Sequence, residues 1–466
     1  MGGFPNKPIR HASIELAASA SSRSPEPSVS DQAKFSKRLA SLGKQSQWAS
    51  ALSELVSAQL THISAHNAVA TACAKNWAWA SALILIGAAR HQTLRVNART
   101  YGAGALSCQV AASWEHCTQL LMDASLLGIE VNVVCCTALL HACGQAAEAS
   151  RALAVLSLMK ATAIEPTQVS VGAAMSASAQ EGRWKDTLAL LNEADEARMR
   201  PNLVCCNALL TSLEKGRRPE QAMAVLESME RPERPATESE SDESVWLRLP
   251  RPDVISYSAV ISACEKSGSW RSALALLWRM QARSLQPNAV SFSAAISSCA
   301  RGGQGQLALQ VLRMMQMCLQ QPNLVCYGAA ISSCEKNAGW EQAQVLLEEM
   351  MSEQLQPNLV CFNAMLSSLM MAGKGGRATR LLSSMRGALL QTDIISYSAT
   401  IAACSRKRQW CESIELLRLM SEEAVEPTCI ALEAAFAACE EHGKLEHVHL
   451  LRPMSEHALD SCRSLT

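Results

Sequence analysis

Apolar and polar positions along the chain recur with a period of 35 residues. Related segments such as Pro201-Asn-Leu-Val-Cys-Cys-Asn-Ala-Leu-Leu and Pro357-Asn-Leu-Val-Cys-Phe-Asn-Ala-Met-Leu follow regularly spaced prolines. The prolines that open such segments are Pro166, Pro201, Pro252, Pro287, Pro322, Pro357 and Pro427. The one interval of 51 residues equals a period plus a 16-residue insertion. Extending the period in both directions gives eleven copies, from about Ile63 to the C-terminal region.

Each period reads as two amphipathic helices. With Leu203 taken as position 1, Val204, Ala208 and Leu210 follow helical spacing after a Pro-Asn start, and the pattern stops near Gly216 or Gly268. The second helix begins at a tryptophan such as Trp270. One hairpin cannot bury its own apolar face, so neighbours must stack. The pattern predicts an all-α fold, an α-solenoid (superhelix) of about eleven 35-residue helix-turn-helix repeats.

Four residue types recur at fixed positions of the copies. Position 6 is alanine in every copy: Ala68, Ala103, Ala138, Ala173, Ala208, Ala259, Ala294, Ala329, Ala364, Ala399 and Ala434. Position 11 is cysteine in eight copies, and a tryptophan and a methionine also recur, as in Trp184 and Met280. We interpret the Cys, Trp and Met columns as core.

Composition narrows the class of protein. Charges balance at 42 basic and 42 acidic residues, which excludes histone-like binding but not a local basic stripe. The 19 cysteines recur mostly at one helical register, which indicates reduced thiols in a reducing compartment rather than a disulfide scaffold. The most apolar stretch, Trp77 to Ala89, is too short to span a bilayer, so we expect no membrane insertion.

The periodicity divides the chain into six segments. Residues 1–30 are expected to be a disordered N-terminal segment with possible targeting function, and residues 31–60 a degenerate capping repeat. Repeats 1–5 occupy 61–229 and repeats 6–11 occupy 252–450. Between them, 230–251 form an acidic Pro/Ser-rich insertion, expected to be a solvated loop. Residues 451–466 are a C-terminal tail.

The repeats resemble those of a known family. Segments such as Pro252-Asp-Val-Ile-Ser-Tyr-Ser-Ala-Val-Ile-Ser-Ala-Cys and Thr392-Asp-Ile-Ile-Ser-Tyr-Ser-Ala-Thr-Ile are similar to the pentatricopeptide repeat, across about 400 of the 466 residues. The tetratricopeptide repeat differs in its 34-residue period and its first-helix motif. The resemblance implies single-stranded RNA binding, one base per repeat, mostly in organelles.

In that family, RNA bases are read by position 5 and by the residue immediately before position 1 of the next copy, which we call the closing residue. The expected base-reading residues are Asn67, Asn97, Asn207, Asp253, Ser258, Asn288, Ser293, Asn323, Gly328, Asn358, Asn363, Asp393, Ser398 and Thr428. Two structural alternatives stay open. Small residues at position 5 also suit tight helix packing, and the closing residues are good helix N-caps.

Two further columns support the same interpretation. Position 2 is aliphatic from Val134 onward, as needed to clamp a flat base between neighbouring repeats. The expected base-sandwiching residues are Val204, Ile255, Val290, Val325, Val360 and Ile395. Position 13 is basic in six copies and suits phosphate contacts, although a basic helix C-terminus is favourable in any case. These residues are Lys75, Lys215, Lys266, Arg301, Lys336 and Arg406.

The sequence lacks a catalytic constellation. It contains no Cys-x-x-Cys and no His-x-Glu paired with Pro-Cys-x-x-Cys, so no zinc deaminase centre is expected. His442, His447 and His449 cluster without partner cysteines. We therefore expect no enzyme activity, no cofactor and no metal.

The favoured function is sequence-selective binding of single-stranded RNA by a protein that acts by occupying its site. We expect it to be monomeric, with a recruited RNA-processing enzyme as a further partner. The alternative is a helical-repeat scaffold that binds a protein or peptide in its concave groove. Residues 1–24 contain Arg10 and Arg23, several serines and one acid, Glu15, which favours a mitochondrial or plastid location over a cytoplasmic one.

Overall fold

The computed structural model describes residues 38, 41, 48–57, 63–75, 79–91, 96–110, 112–231, 249–335, 339–387, 390, 392–406, 409–423 and 425–440. Within these residues all regular secondary structure is helical, in 22 helices. They are α1 (Trp48–Ser57), α2 (Ile63–Lys75), α3 (Trp79–His91), α4 (Ala98–Val110), α5 (Trp114–Leu126), α6 (Val133–Ala146), α7 (Ala149–Ala161), α8 (Gln168–Glu181), α9 (Trp184–Glu196), α10 (Leu203–Lys215), α11 (Pro219–Glu230), α12 (Val254–Ser267), α13 (Trp270–Ala282), α14 (Ala289–Arg301), α15 (Gly305–Met317), α16 (Leu324–Glu335), α17 (Trp340–Ser352), α18 (Leu359–Met371), α19 (Gly375–Gly387), α20 (Ile394–Ser405), α21 (Trp410–Glu422) and α22 (Cys429–Glu440). The predicted all-α array of helix-turn-helix repeats is confirmed.

The helices begin and end where the sequence pattern places them. Asn202 has an extended backbone and its side chain accepts a hydrogen bond from the Cys205 amide, which caps α10. Gly268, at φ +73°, ends α12 in the left-handed conformation that glycine adopts without strain. Proline before the cap and glycine after the last turn therefore set the bounds of the first helix of a repeat.

The chain divides into two compact units, residues 1–142 and 143–466, with the boundary inside α6. In the second unit the even-numbered helices from α8 to α22 pack one against the next in sequence order. From α9 on, each odd-numbered helix packs on the first helix of its own repeat and of the next. In the first unit, α2 packs on α4 and α3 packs on both, in the same arrangement. Each unit is thus a stack of hairpins that share their cores.

The alanine, cysteine and methionine columns form these cores. The position 11 cysteines, such as Cys264 and Cys299, are fully buried, and burial raises the pKa of both thiols to about 11. The methionines, among them Met280 and Met350, are equally buried. The interpretation of these two columns as core holds.

The tryptophan column was wrongly interpreted as core. Trp114, Trp184, Trp270, Trp340 and Trp410 are only half-buried. The reason is their place at the start of the second helix, where the rings of Trp184 and Trp270 lie against the glycine that follows the next repeat's first helix. A Cβ added to Gly216 would lie 2.7 Å from Trp184 Cδ1, and one added to Gly302 would clash with Trp270 Cδ1.

Several sequence predictions lie partly or wholly outside the described residues. They concern residues 1–30, most of the insertion (232–248), the tail at 451–466 and the histidines at 442, 447 and 449. Of the expected capping repeat, α1 is described and packs on α2. No described helix has the length and apolarity needed to cross a membrane.

Candidate nucleic-acid interface

Four of the expected base-reading pairs lie within hydrogen-bond distance at the junction between two repeats. Asn363 Nδ2 donates to both carboxylate oxygens of Asp393, at 3.2 and 3.0 Å. Asn207 Nδ2 donates to Asp253 Oδ1 at 3.2 Å. The hydroxyls of Ser398 and Thr428 are 3.1 Å apart, and Asn67 Nδ2 is 3.5 Å from Asn97 Oδ1. The structure therefore brings position 5 and the next closing residue together.

The insertion leaves this geometry unchanged. Asn207 and Asp253 are 46 positions apart in the chain, against 30 for Asn363 and Asp393, yet both pairs make the same contact. The additional residues fall between α11 and α12 in the sequence. Repeats 5 and 6 consequently form a junction like that between repeats 9 and 10.

The other three pairs differ. Ser258 Oγ donates to the main-chain oxygens of Val254 and Ile255, at 2.6 and 3.2 Å, and so turns back into its own helix. Ser293 lies within hydrogen-bond reach of the Cys326 thiol of the next repeat. Gly328 has no side chain, and a Cβ built there would meet Cys361 Sγ at 3.6 Å. The junctions are similar in backbone and distinct in side-chain chemistry.

The closing residues also cap helices, as the structural alternative expected. Asp253 and Asp393 accept a hydrogen bond from the main-chain N–H three residues later, at 2.9 and 2.8 Å. Asn288, Asn323 and Asn358 do the same at 2.9 to 3.1 Å. Each cap leaves polar atoms of the same side chain at the junction. Capping and base reading are therefore compatible roles for one residue.

The aliphatic side chains at position 2 are exposed in both compact units. From Val134 to Ile430 each is between 52% and 70% exposed to solvent. Val134 lies in the first unit, and the residues of the second unit are Val169, Val204, Ile255, Val290, Val325, Val360, Ile395 and Ile430. Since position 2 precedes position 5 by three residues on the same helix, each polar pair from Asn207 onward lies close to two exposed aliphatic groups. The pair of Asn67 and Asn97 has Ser64 and Arg99 at these positions instead. Repeated apolar exposure of this kind is typical of surfaces that bind a ligand.

The basic residues at position 13, which we call the basic stripe, bond to residues of the preceding repeat. Lys266 Nζ is 3.1 Å from Glu214 Oε1, and Arg301 Nη2 is 3.6 Å from Glu265 Oε1. Lys215 Nζ donates to the main-chain and side-chain oxygens of Gln180, at 2.7 and 2.9 Å.

Only part of this stripe is compensated by carboxylates. Arg406 Nη1 donates to the main-chain oxygen of Met371 at 3.1 Å, so its charge faces a neutral group. Burial raises the pKa of the Glu265 carboxyl, while Arg301 and Lys266 oppose that shift. The side chain of Lys75 and the whole of Lys336 lie outside the described residues.

Comparison with protein families identifies the repeats. A model described as the pentatricopeptide repeat domain matches residues 119–179 and 345–406. A model of the PPR repeat family matches 252–301, and a PPR repeat model matches 204–231 and 290–318. The chain belongs to the pentatricopeptide repeat family.

Solved structures of other pentatricopeptide repeat proteins are similar to this chain. A crystal structure of PPR10 in complex with an 18-nt psaJ RNA element has 18% identity and a TM-score of 0.41, over 90% of this chain and 64% of that one. PPR10 from maize has 14% identity and a TM-score of 0.30, over 91% and 89%. The PPR domain of Arabidopsis thaliana protein-only RNase P 1, in complex with tRNA, has 12% identity and a TM-score of 0.35, over 39% and 95%. The chain thus spans less than two thirds of the PPR10 chain in the RNA complex. No curated protein matches the sequence.

Sequence reasoning missed the third residue of several pentatricopeptide repeat first helices. Ser256 and Ser396 lie at position 3 and donate to the amide oxygens of Asn207 and Asn363, both at 2.6 Å. It also missed Glu214 and Glu265 at position 12, which bind the stripe. The recurrence of Glu-Lys at positions 12 and 13, as in Glu214-Lys215 and Glu265-Lys266, was a usable signal for those ion pairs.

Within the described residues, no group of three His, Cys, Asp or Glu side chains could hold a metal ion.

Proposed function

We propose that this pentatricopeptide repeat protein binds single-stranded RNA sequence-selectively, with one base at each repeat junction. The observation that best supports this proposal is the repeated junction, where position 5 and the closing residue are paired beside exposed aliphatic side chains of two repeats. At the junction of repeats 9 and 10, Asn363 and Asp393 stand near Val360 and Ile395, which are 61% and 58% exposed.

The chemistry of this junction suits a nucleobase. A base is flat and apolar on its faces, so aliphatic groups on both sides bury it, and its edge carries donors and acceptors that an amide or hydroxyl matches. A wrong base leaves buried polar groups unpaired, which costs about 1–3 kcal/mol per group. The same features give a peptide few anchors, because peptide grooves usually offer pockets for large side chains.

The proposed sequence follows the pairing that the family uses. Asn with Asp favours uracil, Ser or Thr with Asn favours adenine, and Asn with Asn leans to pyrimidines. From the junction of Asn207 with Asp253 to that of Asn363 with Asp393, the core reads 5′-U-A-A-N-U-3′, where N is any nucleotide.

Basic residues along position 13 would hold the phosphates, with Lys215 and Arg406 the most available of those described because their partners are uncharged. We further propose that the protein acts by occupying its RNA site in a mitochondrion or plastid, where it protects the RNA, remodels it or guides a processing enzyme.

The test is selection from a random single-stranded RNA pool. The unmodified protein is expected to enrich U-A-A-N-U. The double variant Asn363→Ser/Asp393→Asn should change the fifth nucleotide from U to A, with a preference of roughly 5- to 100-fold, and leave the other four positions unchanged.

Two results would contradict the proposal. Enrichment of no RNA motif by the unmodified protein would favour the peptide-binding scaffold. Recovery of the same motif by both proteins would show that Asn363 and Asp393 do not read the fifth base.

A further inference from the structure

Position 3 of a first helix follows the residue at position 5 of the preceding repeat where that residue is asparagine or glycine. All three asparagines at position 5 are followed by a hydroxyl residue at the next position 3, and all three glycines are followed by cysteine. The pairs are Asn67 with Thr100, Asn207 with Ser256, Asn363 with Ser396, Gly102 with Cys135, Gly172 with Cys205 and Gly328 with Cys361. Helix capping explains part of this pattern, because the Asp253 main-chain N–H donates to Ser256 Oγ at 3.2 Å in a capping box. Capping does not explain why the same hydroxyl also contacts the asparagine of the preceding repeat.

At two junctions the hydroxyl reaches the base-reading asparagine directly. Ser396 Oγ is 2.6 Å from Asn363 Oδ1 and 2.7 Å from Asp393 Oδ1. Ser256 Oγ is 2.6 Å from Asn207 Oδ1 and 2.9 Å from Asp253 Oδ1. Both serines are fully buried. The same three-residue cluster therefore occurs twice in the chain, although the 16-residue insertion separates Asn207 from Asp253 and Ser256 in one of them.

The cluster fixes which way the amide of the asparagine faces. A carboxylate only accepts hydrogen bonds, so the amide nitrogen must face Asp393 and the amide oxygen must face the other side. The Ser396 hydroxyl is within donating distance of that amide oxygen, and it shares its single proton between Asn363 Oδ1 and Asp393 Oδ1. One N–H and one lone pair of the amide then remain for a ligand, in a fixed order.

That order distinguishes uracil from cytosine. Uracil presents an acceptor at O4 beside a donor at N3, whereas cytosine presents a donor at N4 beside an acceptor at N3. An amide that turns over by 180° would exchange its preference between the two bases. Holding it in one orientation therefore selects one pyrimidine.

The junction of repeats 1 and 2 lacks this arrangement. The Asn67 oxygen is buried without a hydrogen-bond partner, and Thr100 Oγ1 instead lies 3.2 Å from the closing Asn97. The Asn97 amide oxygen lies 3.1 Å from the Thr100 main-chain N–H that it caps and 3.5 Å from Asn67 Nδ2, so Asn67 faces a distant, uncharged acceptor in place of a carboxylate.

We infer that Ser256 and Ser396 are positioning residues that hold Asn207 and Asn363 in the orientation that accepts uracil and rejects cytosine. The inference rests on the proposed RNA binding and deepens it, since it adds a third residue to the reading of a base.

The test measures binding of the full chain to three unstructured RNAs. The first contains 5′-U-A-A-G-U-3′, and the other two carry C in place of U at nucleotide 1 or at nucleotide 5 of this motif. Ser396→Ala should lower the preference for U over C at the fifth nucleotide by about 2- to 10-fold, the value of one hydrogen bond. Ser256→Ala should do so at the first nucleotide only. Ser396→Cys, the residue that the chain itself uses at Cys361, should resemble Ser396→Ala, because a thiol is a weak donor.

Ser291→Ala is the matched control. Ser291 occupies the same helix position and donates to its cap, Asn288, at 3.0 Å, while Ser258 of the preceding repeat bonds within its own helix. This variant should leave the preference at every position unchanged.

Each outcome decides the matter. A loss confined to the nucleotide of the altered junction supports the inference, since general destabilisation would weaken binding to all three RNAs alike. Unchanged preference in both the Ser256 and Ser396 variants, or an equal loss in the Ser291 control, overturns it while leaving RNA binding intact. Failure of the unmodified protein to bind any of the RNAs overturns the proposed function and this inference together.

Discussion

Two neighbouring junctions of the array share a backbone and differ in chemistry. Between repeats 9 and 10, Asp393 caps α20 at 2.8 Å and its carboxylate also receives the amide of Asn363. Between repeats 8 and 9, Asn358 caps α18 at 3.1 Å but faces a glycine, Gly328. Capping is thus a folding requirement common to both, whereas the residues at positions 5 and 3 decide whether a junction has groups left to read a base.

The largest expected effect comes from converting one junction into the other. The triple variant Gly328→Asn/Asn358→Asp/Cys361→Ser should create a preference for U at the fourth nucleotide of U-A-A-N-U, by about 10-fold or more. A Cβ at Gly328 meets Cys361 Sγ at an ordinary 3.6 Å, so the side chain has room. Competition among four RNAs that differ only at that nucleotide measures the effect. Gly328→Ala is the control and should bind all four alike, and a triple variant that also does so would refute the comparison.

A smaller effect separates capping from reading. Asp393→Ala and Asn358→Ala each remove a helix cap and should each lower the free energy of unfolding by about 1 kcal/mol, measured by urea denaturation. Only Asp393→Ala should also weaken the preference for U at the fifth nucleotide, because only Asp393 orients an asparagine. If Asn358→Ala altered base preference as strongly at its own nucleotide, the distinction between the two junctions would be wrong.

The smallest expected effect concerns phosphates. Arg406 donates to a neutral carbonyl, whereas Lys266 is paired with the Glu214 carboxylate, so a phosphate gains less from Lys266. Arg406→Gln should reduce the log–log salt dependence of RNA binding by ~0.7, and Lys266→Gln by less. Adding Glu214→Gln to the unmodified chain should release Lys266 and steepen the dependence.

The control for the salt experiment lies on the second helices. Arg313 is paired with Glu349 at 2.9 Å, from α15 to α17, and Arg313→Gln should leave the salt dependence unchanged. Equal slopes for the Arg406 and Lys266 variants would show that pairing within the stripe does not govern phosphate binding.

The fold was predictable from sequence because period and helix signals coincide. Prolines such as Pro201, caps such as Asn202 and glycines such as the one after α12 mark most of the hairpins, and a hairpin can bury its apolar face only by stacking. The pairing of Asn207 with Asp253 was also predictable, since a fixed register places position 5 beside the next closing residue even across an insertion.

Other features depended on contacts that periodicity does not encode. A serine at position 3, such as Ser396, has an ordinary local role near a cap, and its reach to the preceding repeat is visible only when two helices are stacked. The half-burial of Trp270 follows from its place over Gly302 at the edge of the stack, although hydrophobicity alone favoured the core. Lys266, at position 13, pairs with Glu214, at position 12 of the preceding repeat. Comparing the residues at one repeat position at a time does not reveal a pair between two different positions.

The fixed residues on both sides of the insertion make it a suitable site for protein engineering. Glu230, at the end of α11, is almost fully buried, where Tyr257 and Arg279 bond to it and Arg283 lies 3.4 Å away. On the other side, Leu249 and Pro252 are buried again before Asp253 reaches Asn207. Lengthening a loop between two fixed ends raises its closure free energy only logarithmically. We therefore expect that a fluorescent domain or a heterologous enzyme can be inserted between Arg231 and Leu249 without changing the spacing of the repeats.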